Sequence, residues 1–131
     1  MFGNEEFGNQ RTFAQASQGV HDPRIESILQ TIEVEPASDM PALTQIAHLS
    51  SSRLSHLFKR EVGRSLHSYL ADRRLEKAAR LLQRTDTPVK EVSYIVGYRH
   101  SPSFVRAFRK KFGCTPNDLR NRVMTSVQLE R

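Results

Sequence analysis

The sequence has no tryptophan and a single cysteine, Cys114. One cysteine cannot close an internal disulfide, so cross-links do not hold this chain together, and a reducing compartment such as the cytoplasm is expected. No apolar run reaches the roughly 18 residues that a membrane-crossing helix needs. The opening "MFGNEEFGNQ" lacks a basic start followed by an apolar stretch, so no secretory leader is expected. No stretch alternates apolar and polar residues clearly enough to be read as a strand. His21, His48, His56, His67, His100 and Cys114 show no zinc-ligand spacing, so no metal is expected. There is no glycine-rich phosphate loop and no nucleophile elbow. Asp72 and Glu76 lie one helical turn apart, but Arg73, Lys77 and Arg80 surround them, as in ion pairs along a helix and not in a catalytic dyad. Neither an enzyme nor a cofactor is expected.

What the chain does have is positive charge, unevenly spread. The net charge is +6 over 131 residues. Residues 1–52 carry two basic and seven acidic side chains, whereas residues 53–113 carry fifteen and five. A basic block of this kind points to a polyanionic partner: DNA, RNA or an anionic membrane surface. A solvated helical surface would also account for it. No segment joins a Lys/Arg face to a large apolar face that lacks a core partner, so membrane binding is not expected.

The apolar residues fall at helical spacing. Residues 1–21, rich in Gly, Asn, Gln and Ser, read as a flexible tail or linker. Asp22 and Pro23 open a helix with the stripe Ile25, Ile28, Leu29 and Ile32. Asp39 and Pro41 open a short second one, with Leu43, Ile46 and Ala47 inward. A third runs from about Ser51, carrying Leu54, Leu57, Phe58 and Val62 to a stop at Gly63. Ser65 caps a long connecting helix, 66–84, with Leu66, Leu70, Leu75, Ala78, Ala79 and Leu82 inward. Thr87 and Pro88 begin a fifth, with Val89, Val92, Ile95 and Val96 inward. Ser101 and Pro102 begin a sixth, which ends at Gly113. "TPND" opens a last helix with a Thr cap, a Pro at the first position and an Asp three residues after the cap. Residues 22–65 and 85–123 thus form two small subdomains joined by the connecting helix, and 124–131 form a C-terminal tail.

One motif is written twice. "SSRLSHLFKREVG", from Ser51, and "SPSFVRAFRKKFG", from Ser101, share length, ends and apolar spacing. Shifting Leu54, Leu57, Phe58, Val62 and Gly63 by fifty lands on Phe104, Ala107, Phe108, Phe112 and Gly113. Shifting Leu43, Ile46, Ala47 and Leu49 by forty-nine lands on Val92, Ile95, Val96 and Tyr98. Short helix, tight turn and longer helix, repeated, is the pattern of two helix-turn-helix units in an all-α fold. The longer helices have apolar backs. Their fronts offer Ser52, Arg53, Ser55, His56 and Lys59, then Arg99, His100, Ser103, Arg106 and Lys110, with Arg109 and Lys111 nearby. Arg can bridge the O6 and N7 acceptors of guanine, and an α-helix fits the major groove of DNA. The connecting helix would span about 28 Å at 1.5 Å per residue, near the roughly 34 Å of one DNA turn. It could set two reading helices in successive major grooves. The competing reading is a helical protein-interaction module with an apolar groove and only non-specific affinity for DNA.

These residues resemble the AraC/XylS family of bacterial transcription regulators. The resemblance lies in "LSSSRLSHLFKREVG", in "RRLEKAARLL" and, with most specificity, in "VSYIVGYRHSPSFVRAFRKKFGCTPNDLR", including Arg120. It covers about Asp22 to Val123. It implies a seven-helix unit with two helix-turn-helix subdomains that binds double-stranded DNA and acts through RNA polymerase on the bacterial nucleoid. By position it assigns DNA contacts to Ser52, Arg53, Ser55, His56 and Lys59, then to Ser103, Val105 and Arg106. Three residues depart from it. His48 stands where the family often has Gly, so that turn is expected to be strained. Pro102 and Val105 replace residues that are often polar, so base reading in the second unit is expected to be sparse. The family includes free-standing units and units attached to an effector-binding domain, and both arrangements stay open.

Overall fold

Short polar side chains set where most of the helices begin. The computed structural model describes residues 13–129, with side chains described for residues 13–122. These residues form eight helices and no strand: α1 (Phe13–Ser17), α2 (Pro23–Val34), α3 (Met40–Ala47), α4 (Ser51–Val62), α5 (Leu66–Arg84), α6 (Val89–Ile95), α7 (Ser101–Phe112) and α8 (Pro116–Leu129). Asp22, Asp39 and Ser50 accept from the backbone N–H of Arg24, Ala42 and Arg53 at 2.9, 3.1 and 3.2 Å. Ser65 accepts from Ser68 N–H at 3.2 Å. Thr115 and Asp118 close a reciprocal pair, each side chain accepting from the other's backbone N–H at 3.1 Å. Each cap satisfies donors that the first helical turn leaves without an intrahelical partner.

One expected start differs slightly: α6 begins at Val89, with Pro88 before it, whereas α7 begins at Ser101 as expected, with His100 before it; neither Pro88 nor His100 makes a side-chain capping bond. Proline fixes its own φ near the helical value and carries no N–H that needs an acceptor, so α6 begins with one donor fewer to satisfy. In α7 the same holds for Pro102 within the first turn.

Two hydrophobic clusters form, and α5 contributes to both. The first joins Ile25, Ile28, Leu29 and Ile32 of α2, Leu43 and Ala47 of α3, and Leu54, Leu57, Phe58 and Val62 of α4 to Leu66, Tyr69 and Leu70 of α5. The second joins Leu75, Ala78, Ala79 and Leu82 of α5 to Val92, Val96, Phe104, Phe108, Cys114 and Leu119. The described chain divides accordingly into residues 13–73 and 74–129, so the boundary falls inside the connecting helix and not at its ends. Aromatic contacts lie at the centre of each cluster. Phe58 and Tyr69 have ring centroids 5.6 Å apart, and Phe108 lies 5.7 Å from Phe104 and 4.5 Å from Phe112. Tilted pairs at these distances add about 0.5–1.5 kcal/mol each beyond burial.

Other sequence-based expectations are corrected here. Part of the stretch read as a tail is structured: α1 lies within it, and Ala16 and Val20 are buried in the first cluster. Residues 1–12 of that stretch lie outside the described residues. Helix α8 continues through Leu129, so most of the expected C-terminal tail is helical. Ile46 and Ile95 do not face inward; they are 40% and 44% exposed. Leu43 with Ala47, and Val92 with Ser93 and Val96, are the buried sets on those short helices. At 100° per residue each Ile sits roughly 80–110° away from the centre of its set.

Both tight turns place a residue at positive φ, with different residues. Gly97 has φ 106°, and His48, one residue after α3, has φ 56° and ψ 40°. A side chain in this left-handed region costs about 1–2 kcal/mol, whereas glycine there costs about 0.5–1 kcal/mol of chain entropy. His48→Gly should therefore stabilise the first unit by about 0.5–1 kcal/mol, and an unchanged or lower melting temperature would contradict the strain. Phe58→Ala and Phe108→Ala should each cost about 3–5 kcal/mol. Thermal melts of both variants that match the parent would contradict the two cores.

Candidate nucleic-acid interface

Helices α4 and α7 are amphipathic in one register. Leu54, Leu57 and Phe58 are buried on the back of α4, and Phe104 and Phe108 on the back of α7. Cores on one side leave the other side to water, and that side carries the charge. Each front borders an open hollow. The first, about 630 Å³, is lined by Ser52, Ser55, His56, Lys59, Arg60 and Ser65, joined by Arg53 from α4 and Arg24 from α2. The second, about 660 Å³, is lined by Pro102, Val105, Arg106, Arg109, Lys110 and Thr115. Shifted by fifty, the six residues of the first set become the six of the second. The motif repeat is thus also a repeat of surface: a strip of helix facing the cap of the next helix, Ser65 for α5 and Thr115 for α8.

The structure gathers most of the site residues expected from sequence. Ser52, Arg53, Ser55, His56 and Lys59 line the first hollow, and Val105, Arg106 and Lys110 the second. Arg99, His100 and Ser103 are exposed at the N-terminal end of α7 and do not join that lining. Sequence reasoning left Arg60 and Arg109 out of the site. The repeat contained the signal, because Lys110 shifted back by fifty is Arg60 and Lys59 shifted forward is Arg109. Arg24 comes from another helix, and no local pattern marks it.

Paired polar groups hold these fronts in place. Glu61, in the last turn of α4, accepts from the backbone N–H groups of His21 at 2.9 Å and Asp22 at 3.0 Å. It thereby ties the start of α2 to the end of α4. These two bonds hold its carboxyl below the ordinary value. Asp22 takes Arg24 side-on, with Nε at 3.0 Å and a terminal nitrogen at 2.7 Å. That hydrogen-bonded pair lowers Asp22 to about 2. It also leaves Arg24 a weaker anion ligand than the unpaired charges of α4 would be, since part of its field is cancelled. Arg73 reaches Glu33 of α2 at 2.9 Å, and Arg64 pairs with Asp72. In the second unit Arg120 donates to the carbonyls of Leu82 at 3.3 Å and Thr85 at 3.1 Å. It caps the C-terminal end of α5, where the helix leaves carbonyls without partners. Among the described residues no group of histidine, cysteine and carboxylates could hold a metal ion, and no described helix is long and apolar enough to cross a membrane.

A family model described as a helix-turn-helix domain matches residues 43–122. The chain belongs to the AraC/XylS family of transcription regulators. It is 35% identical over 103 residues to the RCS-specific HTH-type transcriptional activator RclR of Escherichia coli, an overlap of 77% of this chain and 36% of that protein. It is 34% identical over 116 residues to the arabinose operon regulatory protein of Salmonella typhimurium, 84% of this chain and 41% of that one. Its fold matches the DNA-binding domain of the global transcriptional factor AdpA, solved in complex with a target DNA, with a TM-score of 0.70 and 25% identity over 81% of this chain and 96% of that one. This AraC-type domain spans about two-fifths of the length of the curated relatives it matches, and those relatives are regulators, not enzymes. The turn residue His48, the twin reading helices and the Thr115–Asp118 cap all lie within the matched residues.

The anchoring of α4 depends on pH in a definite direction. Asp22 and Glu61 have folded values below their unfolded ones, so each stabilises the fold above about pH 4–5 and loses that effect as pH falls toward the folded value. Glu61→Gln should be less stable than the parent at pH 7, and the gap should narrow between about pH 5 and 3. Melts at pH 7, 4 and 3 check this; a gap of constant size would show that the Glu61 charge does not hold the end of α4.

Proposed function

We propose that this domain regulates transcription by binding double-stranded DNA sequence-specifically, with α4 and α7 entering successive major grooves of one site. The observation that carries the reading is the repeated front: two helices, each with a buried apolar back and a hollow lined at the same six places, three of them cationic or histidine in both units. Anchored helices with cations near their N-terminal half are suited to base edges, and cations further along are suited to phosphates. The relative solved with its target DNA supports the same partner. An apolar-groove interaction module fits less well, because the two hollows are lined largely by charged and hydroxyl side chains.

The proposal extends to RNA polymerase as a second partner, supported by the relative that is a transcriptional activator. The place of action is then the bacterial cytoplasm, on the nucleoid. In a longer parent protein an effector-binding domain would supply the signal, as the family resemblance implies.

Arg106 is assigned to base reading and Lys59 to phosphate. Arg106→Ala should cost about 1–3 kcal/mol on the preferred site and relax choice at one position, a guanine. Lys59→Ala should weaken all sequences alike and reduce the slope of log affinity against log salt by about one unit. Titrations against the preferred site, single-base variants and random DNA at several salt concentrations check both. If Arg106→Ala weakened random DNA as much as the preferred site, Arg106 would be a phosphate clamp and not a reader.

A further inference from the structure

The two hollows share a layout but differ in chemistry where the helix would go deepest. On α4 the places Ser52, Ser55 and His56, with Arg53 among them, can all form hydrogen bonds with base edges, and the two leucines of that hollow, Leu49 and Leu57, pack on the first core. On α7 the same three places hold Pro102, Val105 and Arg106. Pro102 is exposed, and Val105 is half-buried, with one side on the second core and the other on the hollow. Proline also lacks a backbone N–H, so the first turn of α7 offers one donor fewer there. The reading end of α7 is thus an apolar ledge, Pro102 and Val105, with the half-buried Ser101 and the Arg106 guanidinium beside it.

The major groove has one apolar group to match such a ledge, the C5-methyl of thymine; the other edge groups of the four bases are donors or acceptors. A base presenting only polar atoms there would lose water without replacing it. Residues 102 and 106 lie on one face of the helix, four apart, with Cβ atoms about 5–6 Å from each other. Base pairs are stacked about 3.4 Å apart. The two contacts therefore fall on base pairs one or two steps apart.

Resting on the DNA-reading proposal above, we infer that the box read by α7 contains a thymine whose methyl packs on Pro102 and Val105, one or two base pairs from the guanine bonded by Arg106. The box read by α4 has no such methyl-dependent position. The composite site is therefore asymmetric in chemistry although the protein is built from a repeat, and this fixes which unit lies on which box.

The test uses the 131-residue chain and a site selected from random DNA. Each thymine of the site is replaced in turn by deoxyuridine, which removes the methyl and leaves the hydrogen-bonding edge intact. One box should contain a thymine at which this costs about fourfold in affinity, the equivalent of one buried CH₂ at about 0.8 kcal/mol. The other box should show no such position. The double variant Pro102→Ser, Val105→Ser, which gives α7 the side chains of α4, should lose the deoxyuridine effect. The variant's folding is checked by circular dichroism, and the single exposed change Pro102→Ser, expected to lose part of the effect, serves if the double variant unfolds. A preferred site whose affinity is indifferent to every thymine methyl would overturn the inference while leaving the DNA-reading proposal standing. So would a methyl effect that persists undiminished in the folded variants. Failure of the selection to yield any preferred site would overturn both.

Discussion

Burial of Phe58 and Phe108, each at 0% exposure, orients everything else in the two units. Each ring sits in the middle of its reading helix and cannot turn outward without exposing an aromatic face and emptying the core. An α-helix is a rigid cylinder at this length, so fixing its back fixes its front. Ser52, His56 and Lys59 on one helix, and Pro102, Arg106 and Arg109 on the other, project where they do because the aromatic rings behind them have no alternative site. The polar capping bonds refine the ends of these helices but do not choose the face.

The anchors around that packing differ between the units, which suits two helices with different roles. The first reading helix is held at its far end by Glu61, whose carboxylate accepts two backbone N–H groups from the start of α2. The second unit is closed by Arg120, whose guanidinium takes the last carbonyls of α5. One anchor supplies negative charge to a helix start and the other positive charge to a helix end, and both agree with the helix dipole. His48 shows the geometry overriding residue preference. The tight turn requires a left-handed residue whether or not glycine is available, and the surrounding core over-determines it.

The repeat also shows how similar folds acquire different readers. The back of the motif tolerates only apolar exchange, Leu54 for Phe104 or Leu57 for Ala107. The front lies largely outside the core, and Ser52, Ser55 and His56 in one unit stand as Pro102, Val105 and Arg106 in the other. Exposed positions on a rigid scaffold can change partners at little cost to stability. The same freedom explains why the cationic places are kept as charge type and not as residue: Lys59 corresponds to Arg109, and Arg60 to Lys110. A phosphate is satisfied by either, whereas a base edge is not.

By itself the sequence determined the helices, their caps at Asp22, Asp39, Ser65 and Thr115, the doubled motif, the core rings and most of the charged front. Those features are local: a cap acts over three residues, and a helical stripe over one turn. Tertiary structure decided what depends on neighbours distant in the chain. Ile46 and Ile95 were legible as apolar but not as outward, because the short helix carries more apolar residues than its partner covers, and only docking selects the face. Helix α1 was hidden in a polar stretch, since five residues form a helix only when Ala16 and Val20 find a core to enter. Arg24 joins the first hollow from another helix, brought there by the packing of α2. The α5 division between two cores has the same origin: one continuous stripe, from Leu66 to Leu82, is written as a single helix, and only the helices packed against it make Leu70 belong to one unit and Leu75 to the other.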